Sequence, residues 1–150
     1  MKLQSYLIGI MALLSYSAQS QHFTLSGSYS PTLESYTFGA GFGGKDMLFD
    51  YQLGLSDEFI AMGLDMGFQV VDFSGNGHVS VLYLGLGGEM YLMDDYEADM
   101  GYSIYPSVSI SYNQFVFTYG YGYLEYDGVL PGELEYFHKL KLTIIFADID

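Results

Sequence analysis

Large apolar residues recur at every second position through most of the chain beyond residue 20. In residues 114–128, QFVFTYGYGYLEYDG, an aromatic residue stands at every second position from Phe115 to Tyr123, with mostly small or polar residues between. Successive side chains of a β-strand point to opposite faces, so this spacing predicts a strand with one bulky apolar face. No segment in this part of the chain sustains the 3.6-residue apolar period of an amphipathic helix. The pattern therefore predicts an all-β protein.

Eight segments with this alternation are separated by turn-like sequences. The Asn76-Gly77 pair in SGNGH is typical of a tight hairpin, because both turn residues must tolerate positive φ angles. Pro106 lacks the N–H group that strand pairing needs, so it predicts a bulge or a break in the sixth segment. The eight predicted strands cover residues 23–29, 36–42, 47–55, 60–70, 82–92, 101–112, 115–123 and 139–146.

The second face of these segments is unusually small, with glycine at many positions where a water-exposed strand would carry Thr, Lys or Glu. A sheet that closes on itself explains the residue sizes on both faces, because the narrow interior needs small residues and the outside, against hydrocarbon, accepts large ones. The sequence therefore predicts an eight-stranded antiparallel up-and-down transmembrane β-barrel. Its predicted lipid-facing aromatic row consists of Phe115, Phe117, Tyr119, Tyr121 and Tyr123.

The first twenty residues have the layout of a secretory signal peptide. Met1 and Lys2 form a short basic start, and the apolar run YLIGIMALL is too short to span a bilayer. The small residues Ala18 and Ser20 then precede a predicted cleavage before Gln21. We therefore expect residues 1–20 to be a cleaved signal peptide and residues 21–150 to form the barrel domain; a membrane anchor or a buried first helix is the alternative.

Composition narrows the classes of function. The chain has four lysines, no arginine and 18 acidic residues, and its formal net charge is -14, so a phosphate backbone would be repelled and nucleic-acid binding is not expected. The absence of cysteine rules out a disulfide framework, so stability must come from packing, a lipid boundary or a closed hydrogen-bond network. The 16 tyrosines and 11 phenylalanines argue for a folded rather than a disordered protein.

Most acidic residues fall in alternate turns, which a barrel places at one end. The opposite turns hold only Lys45 and Asp46, with Asp72 at one edge. An oriented membrane protein explains this segregation, with the acidic turns on the outer side. The DDYEAD turn resembles a calcium loop in its spacing, but Met100 stands where the tight glycine is required, so a solvated acidic loop is the favoured interpretation. This acidic outer loop comprises Asp94, Asp95, Glu97 and Asp99.

In this pattern the sequence resembles the small eight-stranded outer-membrane barrels of the OmpA/OmpX type found in Gram-negative envelopes. The segment KLKLTIIF ends in an aromatic residue, Phe146, which resembles the closing strand of that family, although residues 147–150 follow it. The resemblance implies a monomer in the cell outer membrane that contacts membrane lipid and lipopolysaccharide. No cofactor is expected.

Five charged residues fall on the small, inward face. Burial of an unpaired ion is costly, so we expect the two lysines among them to pair with some of the carboxylates. Eight strands leave little room for a water channel, and the charges are therefore predicted to form a polar plug. This interior charge cluster consists of Asp50, Asp65, Glu89, Lys139 and Lys141.

The three histidines give only weak evidence for a catalytic or metal site. Three histidines lie on different predicted strands without metal-ligand spacing, so neither a metal site nor a catalytic site is expected. Only His22 with Ser26 and His78 with Ser80 approach the His–Ser arrangement of barrel-shaped lipid-modifying enzymes. We expect a structural or interaction role in the envelope, with extracellular protein or divalent-cation contacts through the outer loops. A soluble secreted or periplasmic barrel that binds a hydrophobic ligand is the main alternative, and a lipid-modifying enzyme is the third.

Overall fold

The computed structural model of the protein describes residues 22–56, 59–93, 100–126 and 136–146. These residues form eight strands, each paired antiparallel with its neighbours in the sequence, and the last strand pairs with the first. The predicted all-β, eight-stranded, up-and-down closed barrel is therefore confirmed. The strands are β1 (His22–Ser30), β2 (Ser35–Gly43), β3 (Met47–Leu55), β4 (Phe59–Asp72), β5 (Val81–Met93), β6 (Met100–Tyr112), β7 (Phe115–Tyr126) and β8 (Tyr136–Phe146).

The register of the ladders fixes the width of the barrel. A path around the barrel that steps from each residue to its directly paired partner starts at Ile144 of β8 and passes Tyr51 of β3 and Ile104 of β6. It returns to β8 at Tyr136, eight residues before Ile144. Strand number and this stagger together determine the diameter, and a barrel of eight strands has an interior that side chains can just fill. Closure also leaves no unpaired strand edge.

The connections between successive strands lie alternately at the two ends of the barrel. We call the end with residues 31–34 the upper end and the end with residues 44–46, 73–80 and 113–114 the lower end. At the lower end Asn76 and Gly77 have φ angles of 53° and 85°, and Gly75 pairs with His78 across them, which confirms the predicted tight turn. The described ends of β1 and β8 also meet at the lower end.

Two irregularities interrupt the ladders. The β6–β7 ladder has no paired residues at Tyr105 and Pro106, while the register is the same on both sides, so the predicted interruption is a break without a bulge. On its other side Pro106 lies opposite Leu86 of β5. The bulge lies instead between Gln69 and Val71 of β4.

Glycines inside the barrel make room for a few large rings. A Cβ atom at Gly87 would overlap the Tyr105 ring and the Asp65 carboxylate, and one at Gly122 would overlap Tyr105 and Phe137. Tyr105 and Phe137 are among the most deeply buried side chains and meet edge to face. The small face is therefore small because bulky residues on neighbouring strands occupy the same narrow interior.

Two apolar clusters lie inside the barrel near its two ends. The upper cluster consists of Phe59, Ala61, Tyr91, Tyr105, Leu124 and Phe137, with Leu33 of the upper turn packed against it. The lower cluster consists of Val81, Tyr83, Val116 and Ile145, with Leu48 packed against it. Polar and charged side chains fill the interior between them. None of the described residues forms a helix with the length and apolar character that crossing a bilayer requires.

Candidate functional site

The five predicted interior charges lie together inside the barrel. β3 and β4 supply Asp50 and Asp65 as directly paired neighbours, β5 supplies Glu89, and β8 supplies both lysines two positions apart. Lys139 and Asp50 are each only 3% exposed, and all five charged groups are at most 9% exposed at the side chain. Charges so far from water require partners within the barrel.

Lys139 is the centre of the upper half of this cluster. Its ammonium forms an ion pair with Glu89 and donates to the side-chain oxygen of Gln52. It also donates to the Tyr105 hydroxyl at 3.1 Å and lies 5.1 Å from the centre of the Tyr105 ring. Glu89 in turn accepts a hydrogen bond of 2.7 Å from the Tyr91 hydroxyl. Every donor of the ammonium therefore has an acceptor, as buried ion pairs require.

Lys141 serves the lower half. Its ammonium forms an ion pair with Asp65 and lies 3.4 Å from the Oδ2 atom of Asp50. Asp65 also accepts hydrogen bonds from the Tyr105 hydroxyl and the Gln52 amide, while Asp50 accepts one from the Ser26 hydroxyl. Both halves are thus one network, because Tyr105 and Gln52 contact members of each.

Gln52 is a central member of the network that sequence reasoning did not single out. Its amide nitrogen donates to Asp65 and, at 3.3 Å, to Asp50, while its oxygen accepts from Lys139 and, at 3.1 Å, from Thr37. Its neutral side chain carries no signal of this role in the sequence. Gln52 lies two residues after Asp50, so the alternation of β3 places both side chains on the inward face. This spacing is the one sequence feature that could have indicated a role in the network.

The outer surface of the barrel is apolar on every strand. All five members of the aromatic row on β7 point outward, with exposures between 42% and 57%. Each other strand contributes large apolar residues of comparable exposure, so the apolar surface continues around the whole barrel. One example from each strand, in chain order, is Leu25, Phe38, Leu53, Met62, Leu86, Ile104, Phe117 and Leu140, each 44–67% exposed.

Aromatic residues concentrate near both ends of this outer surface. At the upper end Tyr121 stacks on Tyr136 with ring centres 5.7 Å apart, and His138 Nδ1 lies 2.7 Å from the Tyr119 hydroxyl. Phenylalanines dominate the lower end. Its exposed aromatic residues include Phe23, Phe42, Phe68, Tyr112, Phe115 and Phe146 on the strands and Phe73 in the lower turn.

The remaining candidates for chemistry do not form a site in the described residues. Ser26 donates its hydroxyl to Asp50, and Ser80 donates to the backbone carbonyl of Ser111, so neither serine is directed toward its nearby histidine. His78 lies beside the Tyr112 ring. Among the described residues no group of three or more His, Cys, Asp or Glu side chains is arranged to hold a metal ion.

Several predictions concern residues that the structure does not describe. The acidic outer loop at residues 94–99 and the signal peptide at residues 1–20 lie outside the described ranges, as do residues 127–135 of the longest turn. Comparisons with protein-family models, curated proteins and solved structures find no match for this chain. Any functional conclusion therefore depends on the geometry of the barrel itself.

Proposed function

We propose that the chain is an outer-membrane β-barrel with a structural or interaction role in the cell envelope, and that it does not conduct solutes. The observation that carries this proposal is the reversed polarity of the barrel. Large apolar side chains cover its outside, and its ion pairs lie inside. A water-soluble barrel has the opposite arrangement, because water solvates charges and favours burial of apolar surface.

The extent of the apolar surface supports lipid as its surroundings. Soluble monomers rarely expose a contiguous apolar patch larger than a few hundred square ångströms, whereas here every strand contributes to a continuous surface. The aromatic residues near both ends correspond to the interfacial girdles of membrane barrels. Tyrosines suit that position because the ring is apolar and the hydroxyl contacts water.

Strand length supports the same proposal. A tilted strand needs about 9–11 residues to cross the hydrocarbon core. The shortest strands, β1, β2 and β3, have 9 residues each, and the longest, β4, has 14. Closure satisfies the other requirement of a bilayer, since lipid offers no partner for an unpaired backbone group.

The filled interior supports a structural role over transport. The ionic network spans the lumen between the upper and lower apolar clusters, and a cavity of about 20 Å³ lies beside its lower half. Ligand pockets for small molecules have volumes of about 300–1,000 Å³, so this cavity is too small for a hydrophobic ligand. The alternative of a soluble ligand-binding barrel also needs its apolar faces inside, and these faces point outward. Contacts with a partner are assigned to the turns of the upper end, because most acidic residues of the turns fall there in the sequence.

The proposal predicts detergent-dependent folding and an impermeable product. Residues 21–150, refolded into detergent micelles, should show a β-type circular dichroism spectrum and a gel mobility that changes on boiling, and a detergent-free control should do neither. Vesicles that contain the refolded barrel should retain a small entrapped dye as well as empty vesicles do. A soluble folded monomer without detergent would contradict the membrane location. Rapid dye release would contradict the plugged interior alone.

A further inference from the structure

The interior contains a small cavity beside the lower half of the ionic network. Its volume is about 20 Å³, which is enough for one water molecule or one ion of similar size. Hydroxyl and carboxylate side chains line much of it, including Thr24, Asp50, Asp65, Ser109 and Thr143, and the Lys141 side chain also lines it. Gly41 pairs with both Thr24 and Asp50, so these two residues lie on the strands on either side of β2.

Two buried oxygen atoms of this lining have no hydrogen-bond partner in the described structure. They are Oδ1 of Asp50 and Oγ1 of Thr24, whose residues are 3% and 1% exposed. Buried polar atoms without a partner are rare, and each needs an explanation. Lys141 and Ser26 contact the other carboxylate oxygen of Asp50, Oδ2, so they leave Oδ1 free to face another species.

The charge of the network is also unbalanced. Among the described residues inside the barrel, three carboxylates, those of Asp50, Asp65 and Glu89, face two ammonium groups, those of Lys139 and Lys141. One negative charge therefore remains without a counter-charge in an interior that excludes water. A buried uncompensated charge is costly, and a cation beside it would remove that cost.

We propose that this cavity binds one monovalent cation of about the size of sodium, held by Asp50 Oδ1 and Thr24 Oγ1. Carboxylate and hydroxyl oxygens are hard ligands that suit such an ion. A single positive charge balances the network, whereas a divalent ion would leave an excess of the opposite sign and needs six or more oxygen ligands if it is calcium. A water molecule could satisfy both oxygens but would leave the negative charge unbalanced.

The apolar clusters above and below the network lie between this site and the two ends of the barrel. The bound ion would enter during folding and leave slowly, since both ends of the interior are closed by packed side chains. The inference concerns the inside of the barrel and does not depend on whether lipid covers the outside.

Retained sodium tests the proposal directly. The protein is refolded in detergent with sodium chloride, passed through a desalting column in choline chloride of equal ionic strength, and analysed by atomic emission. We expect about one sodium ion per barrel and an unfolding midpoint about 5 °C higher than for protein refolded entirely in choline chloride. Asp50→Asn, which balances the charge without changing the shape, should lose both effects.

Two further variants make the test specific. Thr24→Val keeps the charge and the shape but removes one ligand, so it should retain less sodium and keep less than half of the midpoint shift. Asp72→Asn changes a carboxylate at the lower rim, 31% exposed and paired with Lys45, and should behave as the unaltered protein does. No retained sodium together with equal midpoints in the two salts would overturn the proposal and assign the cavity to water. If Asp50→Asn fails to fold, sodium retention and the midpoint shift of the unaltered protein and of Thr24→Val still distinguish a bound sodium ion from water.

Discussion

Replacement of Lys139 with methionine is expected to lower the free energy of unfolding by about 3–5 kcal/mol, the typical cost of breaking a buried ion pair from one side. Methionine approximates the length of lysine but supplies no charge. The change leaves the Glu89 carboxylate, the Gln52 oxygen and the Tyr105 hydroxyl without their shared donor in an interior that water does not reach. Denaturant unfolding of the barrel in detergent measures the effect.

A matched control isolates the effect of burial. Lys45→Met breaks the ion pair with Asp72 at the lower rim, whose side chains are 52% and 31% exposed, and should change the free energy of unfolding far less than Lys139→Met does. The double variant Lys139→Met with Glu89→Gln should recover part of the loss, since it removes the unpaired carboxylate. Equal small effects of Lys139→Met and Lys45→Met would show that water reaches the interior and that no plug exists.

Replacement of Leu86 with arginine should destabilise the barrel in lipid by about 2–4 kcal/mol, the cost of a cation near the middle of the hydrocarbon layer. Leu86 lies midway along β5, is 52% exposed, and faces outward between Met66 and Pro106 on the neighbouring strands. The interior is untouched by this change, so any loss must come from the surroundings of the outer face. Unfolding of the barrel from phospholipid vesicles measures it.

An arginine at the end of the barrel provides the comparison for the arginine at the middle of the strand. Val79→Arg, in the lower turn, places the same charge on a residue of similar exposure, and the cost there should fall to about 0–1 kcal/mol. In a water-soluble barrel both arginines would be close to neutral. A negligible cost for Leu86→Arg would therefore contradict the proposed lipid contact while leaving the barrel fold intact.

The strands could be predicted from the sequence because one physical contrast repeats along all of them. Residues such as Phe117 and Leu140 alternate with small or polar inward residues, and that alternation fixes both the strand and the direction of its faces. The bulge of β4 could not be predicted, since Val70 and Val71 are both exposed apolar residues and the alternation gives no sign of the shift.

The contacts within the ionic network were harder to predict from the sequence, because they depend on closure of the barrel and on the register of its strands. Lys139 and Glu89 are 50 residues apart, on strands that do not pair, so their contact exists only across the lumen of the closed barrel. Phe137 could have been placed inside by extending the alternation of β8 two residues toward its start. The role of the acidic outer loop and the cleavage of the signal peptide stay predictions, since both lie outside the described residues.

The central claim, that the outer face contacts lipid, is tested most directly by tryptophan fluorescence. The chain contains no tryptophan, so Phe117→Trp introduces a single reporter on the outer face of β7. In vesicles of brominated phosphatidylcholine we expect blue-shifted emission that the bromine atoms quench strongly. Gly75→Trp, at the lower turn where a side chain meets open space, should emit at longer wavelength and be quenched weakly. Equally weak quenching and water-like emission at both positions would contradict the account.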